Sequence, residues 1–217
     1  MVEIEAPAHA KTRFRQAEFL AFSSAAFIAK TFLLMRLPYR EAWVNALYTS
    51  LILGAFYCYF RFRQKMAPPI FVMFCLAAAV ATDVLGNLFK LYGHKFGPLT
   101  DYDEFAHLAG SGLSAIPAFW LLRTTTRRVG LRLPLDLMTF LAVTITFSFA
   151  SYYEIVELWD EKFYGDFQRL WTPQDTPHDL QWDMFGIIFF ALVAALYYKG
   201  VDRRDRSRPG PFGAEMS

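Results

Sequence analysis

Apolar residues run along the chain in six long stretches that short charged segments separate. A helix needs about 20 such residues to cross the hydrocarbon of a bilayer, and irregular backbone is not tolerated against lipid. The pattern therefore predicts an all-α fold, a polytopic transmembrane helical bundle of about six spans. The predicted spans are about 18–36, 42–60, 69–91, 104–122, 135–158 and 181–199.

Prolines and charged runs set the predicted boundaries. Pro68 and Pro69 open the third span and Pro134 opens the fifth, since proline is tolerated in the first turn of a helix. No small-residue cleavage site follows a short apolar core near the N-terminus, so we expect the first span to remain in the mature protein. The predicted organisation is a cytoplasmic segment 1–17, a six-helix transmembrane domain 18–199 and a disordered cytoplasmic tail 202–217.

Positive charge predicts the orientation of the bundle. With the N-terminus inside, the inner segments hold fifteen lysines and arginines and the outer loops hold six. Basic residues are enriched on the cytoplasmic side of membrane proteins. The distribution therefore predicts an N-in/C-in topology.

Composition limits the classes of partner. The chain is 55% hydrophobic and 19% charged, with a net charge of +2, which predicts contact with the lipid bilayer and not a water-soluble domain. No basic run is interleaved with stacking aromatic residues in a solvated segment, so no nucleic acid partner is expected. Cys58 and Cys75 fall in apolar spans and are predicted to be buried thiols, not a disulfide.

Three short acidic motifs lie at the ends of the last three spans: Asp103 with His107, Glu154 with Glu157, and Asp179 with Asp183. Residues three or four apart share a helix face, and the predicted topology brings all three motifs to the outer surface. Carboxylates and imidazoles near lipid are costly unless they pair, bind a metal or face water. Oxygen and imidazole ligands suit a divalent metal ion whose identity the pattern does not fix. The predicted ligands are Asp103, His107, Glu154, Asp179 and Asp183, with Glu157 as the carboxylate for proton transfer.

Each motif also has a structural interpretation. Asp103 and Asp179 are alternatively N-caps of their helices, and Glu157 is alternatively solvated at the membrane surface. His107 precedes the small residues 109–112, which permit close helix approach, so it is alternatively a hydrogen-bonding partner of a neighbouring helix.

A second polar set lies deeper in the predicted bundle. Lys30 in the first span and Asp83 in the third are expected at similar depth and form a predicted intramembrane ion pair. A structural brace is one role for this pair, and a proton path or substrate contact is the alternative. The aromatic residues of loop 159–180 are interpreted as interfacial anchors, or as an amphipathic segment that caps the site.

The three motifs carry a resemblance to a known family. The runs Tyr102–His107, Tyr153–Glu157 and Asp179–Met184 resemble the YjdF-like bacterial inner-membrane proteins, a family of unknown function whose pattern contains Tyr-Asp-Arg-x-x-His, Glu-x-x-Glu and Asp-Thr-Gln-x-Asp-Met. Glu104 replaces the family arginine and Leu180 the family threonine, while the aspartate, histidine and glutamate positions are kept.

The resemblance covers about residues 83–199 and implies a multi-pass protein of the bacterial inner (cytoplasmic) membrane. The chain is also similar, more distantly, to VanZ-like membrane proteins, which share an Asp-x-x-x-His helix and later acidic helices. Both resemblances imply that the polar positions form a recurrent set, and neither implies a reaction.

Three functions fit these features, and the sequence does not decide whether the protein is an enzyme. The first is a metal-binding membrane protein, as a hydrolase or transferase acting on a lipid or envelope substrate. The second is a non-catalytic structural or accessory subunit of a larger complex, with membrane protein partners or as a homo-oligomer. The third is a small transporter that uses Lys30 and Asp83.

Overall fold

The computed structural model of the protein describes residues 58, 59, 62, 68–95, 101–164 and 175–207, in two compact units, 1–103 and 104–217. The described residues form four named helices and no strand, and Lys95 and Asp101 form an isolated bridge. The predicted all-α class is confirmed. The helices are α1 (Ile70–Phe89), α2 (Tyr102–Arg128), α3 (Leu135–Tyr164) and α4 (Asp175–Ser207).

Three of these helices are long and apolar enough to cross a membrane. Their apolar parts are Tyr102–Arg128, Leu135–Trp159 and Asp175–Arg203, whereas the apolar part of α1, Ile70–Asp83, is shorter. The prediction of about six spans is therefore not supported within the described residues. The predicted span 18–36 and nearly all of 42–60 lie outside them.

The helix ends follow from local backbone chemistry. Gly130 adopts a φ of 77° just after α2, and the next amide, of Leu131, donates to the carbonyl oxygen of Thr126 at 2.8 Å. This is a glycine-terminated helix end of the Schellman type. Pro134 then precedes α3 as predicted, and its carbonyl oxygen accepts a hydrogen bond from the Met138 amide at 3.0 Å.

Helix α4 is longer at both ends than the sequence predicted. It begins at Asp175 and not near 181, and it ends at Ser207 and not near 199. The predicted disordered tail is thus helical over 202–207, because the apolar helix continues into a charged extension. The segments 1–17 and 208–217 lie outside the described residues.

The second unit is held together by packing among α2, α3 and α4. Ala115 of α2 contacts the same core as Ile187 and Ala191 of α4, and all three are fully buried. Val143 and Phe147 of α3 pack against that core. Large apolar side chains on the other faces of α3 and α4 are exposed, which is the arrangement expected of helices that face lipid; they include Phe140, Phe149, Phe189 and Leu196.

Helices α2 and α4 come into backbone contact at two glycines. A Cβ atom added to Gly186 would overlap the carbonyl oxygen of Leu108, and one added to Gly112 would lie 2.9 Å from the Gly186 carbonyl oxygen. The interpretation of the small residues 109–112 as a packing surface is therefore confirmed. Close approach of this kind fixes the distance between side chains on the two helices one turn away.

Hydroxyl side chains on the apolar helices are satisfied locally. Thr139, Thr146 and Ser148 of α3 each donate to the carbonyl oxygen four residues earlier, at 2.7 to 2.8 Å. Such bonds remove most of the cost of a hydroxyl in an apolar setting. The presence of these hydroxyl residues in an apolar helix therefore does not require a bound ligand.

Candidate functional site

The imidazole of His107 lies at the point where α2, α3 and α4 meet. Its Nδ1 atom is 3.2 Å from Oδ1 of Asp183 and 3.7 Å from Oε1 of Glu154. Its Nε2 atom is 3.8 Å from Oδ1 of Asp179. The His107 side chain is 13% exposed, so three carboxylates surround one largely buried imidazole. We refer to these four residues as the His107 cluster.

Glu154 is the most unusual member of the His107 cluster. It lies on α3, is 1% exposed, and neither carboxylate oxygen has a hydrogen-bond partner within the described part of the chain. A buried carboxylate without such a partner is strongly destabilising unless a proton or a cation compensates its charge. An ionised Glu154 would therefore be stabilised by a positively charged group beside its carboxylate.

Asp179 and Asp183 project from one face of α4, one turn apart, and both are buried. Asp179 is the fifth residue of its helix, because α4 begins at Asp175. The alternative interpretation of Asp179 as an N-cap is therefore wrong. Asp175 is the acidic residue of the first turn, where a carboxylate is favoured by the helix dipole.

Ser111 fixes the two helices against each other beneath the cluster. Its hydroxyl oxygen lies 2.6 Å from the carbonyl oxygen of His107 and 3.3 Å from that of Asp183. One hydroxyl group thus contacts the backbone carbonyl groups of both His107 and Asp183, the closest pair in the cluster. The packing of α2 against α4 therefore sets the distance between His107 and Asp183, through this serine and through the contact between Gly112 and Gly186.

The donor atoms of His107, Glu154 and Asp183 lie within 4.8 Å of one another, a grouping that could hold a metal ion. Ligands about 2.1 Å from a four- or six-coordinate metal lie about 3.0–3.4 Å apart, close to the distances from Nδ1 of 3.2 and 3.7 Å. Asp179 faces the other ring nitrogen. A carboxylate in that position commonly orients a histidine that ligates a metal.

Two further predicted site residues lie on the same helices as the His107 cluster, close to it in sequence. Asp103 is the second residue of α2, one turn before His107 and half-buried. Its interpretation as the N-cap of α2 stays a prediction, since Asp103 lies in the first turn of that helix. Glu157 follows Glu154 by three residues on α3 and is also half-buried, so the two carboxylates share a face of that helix.

The predicted pair of Lys30 and Asp83 is not brought together in the described residues, because Lys30 lies outside them. Asp83 instead accepts a hydrogen bond of 2.8 Å from the phenol of Tyr92. The Tyr92 ring packs edge-on against Tyr102, whose hydroxyl donates to the carbonyl oxygen of Thr82 at 2.6 Å. Within the first unit, Asp83 is thus hydrogen-bonded to Tyr92, which in turn packs against Tyr102.

Two polar contacts were not anticipated from the sequence. His178 lies 3.4 Å from Glu104, and Arg123 and Arg127 both contact Asp202. The charge pattern of the sequence uses these arginines only to predict the orientation. Their spacing of one helical turn was the available signal that both could bind one group. Both cysteines are free thiols; Cys75 is buried as predicted, whereas Cys58 is exposed, so the prediction of a buried thiol is wrong at that position.

A family model described as "Predicted membrane protein (DUF2238)" matches residues 19–204. The resemblance to YjdF-like proteins is consistent with that match, and the resemblance to VanZ-like proteins is not shown. No curated protein matches the chain, and no solved structure does. The family description agrees with the three long apolar helices.

Proposed function

The chain belongs to the DUF2238 family of predicted membrane proteins, and we propose that it is a multi-pass protein of the bacterial inner membrane that binds one divalent metal ion in the His107 cluster. The proposal includes six spans with both termini in the cytoplasm, as the distribution of basic residues favours. The segment 1–17 and the residues after α4 then lie in the cytoplasm, and the His107 cluster faces the periplasm.

The observation that carries this proposal is the buried carboxylate of Glu154. Both of its oxygens are inaccessible and accept no hydrogen bond from the described residues, yet Oε1 lies 3.7 Å from Nδ1 of His107. Glu154, Asp179 and Asp183 together carry three negative charges when ionised, and His107 supplies at most one positive charge. A divalent cation balances this set better than the imidazole alone.

The geometry supports different roles for the predicted ligands: some would bind the metal ion, and one would orient the imidazole ring. Glu154 and Asp183 face Nδ1 of His107, so these three residues are the proposed ligands that meet at one point. Asp179 faces Nε2 and orients the ring in this arrangement. Asp103, one turn earlier on α2, remains a proposed further carboxylate ligand.

The proposed chemistry is hydrolysis or group transfer on a lipid or envelope substrate. A bound divalent ion supplies a Lewis acid to a substrate oxygen. Glu157 is the proposed proton acceptor, because it is half-buried and shares a helix face with Glu154. In the proposed topology α3 runs outward, so Glu157 lies nearer to the membrane surface than Glu154.

A second candidate function has its own observation. His107 faces carboxylates through both ring nitrogens, an arrangement that also suits an imidazolium that braces three helices. In that case the protein is a structural or accessory subunit, with membrane protein partners or as a homo-oligomer. The two functions differ in metal content and in the response to a chelator.

Elemental analysis of the purified protein tests the metal site. We expect about one divalent ion per chain in the wild type, and loss of most of it in His107→Ala and Asp183→Ala, because each variant removes a ligand from the point of convergence. Asp136→Asn, which changes an exposed carboxylate at the far end of the helices, is the control and should retain the ion. Equal metal content in all four proteins would leave the structural brace as the function.

A further inference from the structure

A second charged cluster lies toward the C-terminal ends of α2 and α4. The Nη2 atoms of Arg123 and Arg127 both lie 2.5 Å from Oδ1 of Asp202. The Arg123 guanidinium also stacks over the ring of Tyr198, 4.4 Å from the ring centroid. We refer to Arg123, Arg127 and Asp202 as the arginine cluster.

The arginine cluster carries more positive charge and more hydrogen-bond donors than its carboxylate can satisfy. Two guanidiniums offer five N–H groups each, while Asp202 is their carboxylate partner among the described residues. The Nε atom of Arg123 is buried without a hydrogen-bond partner in the same set of residues. Lys199 and Arg203, both exposed, flank the cluster in sequence, so a local excess of positive charge remains.

The two clusters are separated by about one membrane thickness. His107 and Arg123 are 16 residues apart on α2, and Asp183 and Asp202 are 19 apart on α4, which at 1.5 Å per residue gives about 24 and 28 Å. The hydrocarbon core of a bilayer is about 30 Å thick. With the His107 cluster at one interface, the arginine cluster therefore lies near the headgroup level of the opposite leaflet.

Exposure separates the roles of the two arginines. The Arg123 side chain is 12% exposed and the Arg127 side chain is 50% exposed. Arg123 is thus held in place by Tyr198 and Asp202, whereas Arg127 presents unused donors at the surface. Arginine binds phosphate oxygens in bidentate geometry and more readily at a partly desolvated position than lysine does.

We propose that the arginine cluster binds the phosphate of an anionic phospholipid headgroup in the leaflet opposite the His107 cluster. The lipid, and not free phosphate, is the proposed source, because the cluster lies at headgroup depth beside apolar helix faces. In this arrangement Arg123 fixes the position of the phosphate and Arg127 supplies the donors that reach it. Asp202 contacts both guanidiniums and competes with the anion for them.

Lipid binding by the full-length protein in neutral detergent tests this proposal, with native mass spectrometry of added phosphatidylglycerol, phosphatidylcholine or inorganic phosphate. We expect the wild type to prefer phosphatidylglycerol, and Arg127→Gln to weaken that binding about fivefold, because one surface arginine contributes roughly that factor. Arg132→Gln removes the same charge from an exposed arginine at the same end of the helices and should leave the binding unchanged. An equal loss in both variants would overturn the proposal, since it would show attraction to surface charge alone.

Asp202→Asn provides the second variant. If the cluster is a lipid site, removal of the competing carboxylate should maintain or tighten phosphatidylglycerol binding. If Asp202 only braces the arginines, binding should fall along with the thermal stability, and the proposal fails. Inorganic phosphate that displaces phosphatidylglycerol at equal concentration would identify the free anion as the ligand and would likewise contradict a lipid site.

Discussion

Replacement of Glu154 by glutamine is expected to remove the stabilisation that a divalent ion gives to the protein. A ligand present at 100 times its Kd stabilises the folded state by about 2.7 kcal/mol, and we expect a gain of that order for the wild type. Glutamine has nearly the same size but no charge, so it is a far weaker metal ligand. Under the same conditions the variant should gain less than about 1 kcal/mol, an expectation scaled from the wild-type gain.

In metal-free protein the same substitution is expected to maintain or raise the stability of the fold. Glu154 is a buried carboxylate whose oxygens have no hydrogen-bond partner in the described residues, so the neutral amide should unfold at an equal or higher temperature in the presence of a chelator. Thermal unfolding in detergent, with chelator and with added ion, measures both effects. Glu157→Gln is the matched control, because Glu157 lies on the same helix face outside the three-ligand group, and it should retain the metal-dependent gain. Equal gains for wild type and Glu154→Gln would contradict the assignment of Glu154 as a ligand.

Substitution of Gly186 by alanine is expected to destabilise the second unit and to weaken metal binding together. The added Cβ would overlap the Leu108 carbonyl oxygen, and this obstacle is backbone and cannot rotate away. Helices α2 and α4 must therefore separate, at a cost of about 1–3 kcal/mol for an overpacked contact. The His107–Asp183 distance of 3.2 Å, one turn away, lengthens with that separation.

Gly200→Ala is the matched control on the same helix. A Cβ at Gly200 meets nothing within 4 Å, so alanine there should stabilise the helix by up to about 1 kcal/mol through its higher helix propensity. Thermal unfolding and metal content of the two variants would be measured side by side. If Gly186→Ala proved as stable as Gly200→Ala, the close approach of α2 and α4 would not be the feature that sets the site geometry.

The sequence predicts which residues meet, because each motif occupies one face of one helix. The spacing of Asp179 and Asp183 gives their common face, and the alternation of apolar spans brings His107, Glu154 and Asp183 to the same end. That convergence is what the structure describes. The helical class follows from the same apolar pattern.

The sequence does not predict how the helices are rotated and spaced relative to one another. Gly186 looks like any other small residue of an apolar helix, yet it makes the backbone contact with Leu108. Helix α4 starts at Asp175, before the apolar stretch begins, so hydropathy predicts a helix start that is too late. The contact of Arg123 with Asp202 joins residues 79 positions apart, which no local pattern encodes.

Pulsed electron paramagnetic resonance of the Mn²⁺-loaded protein tests the central claim most directly, because it detects the nitrogen bound to the ion. We predict coupling to one imidazole nitrogen in the wild type, loss of that coupling in His107→Ala, and its full retention in His178→Ala, whose histidine lies beside Asp179 in sequence but contacts Glu104. Failure of the wild type to bind Mn²⁺, or a nitrogen coupling that persists in His107→Ala, would contradict a metal site centred on His107.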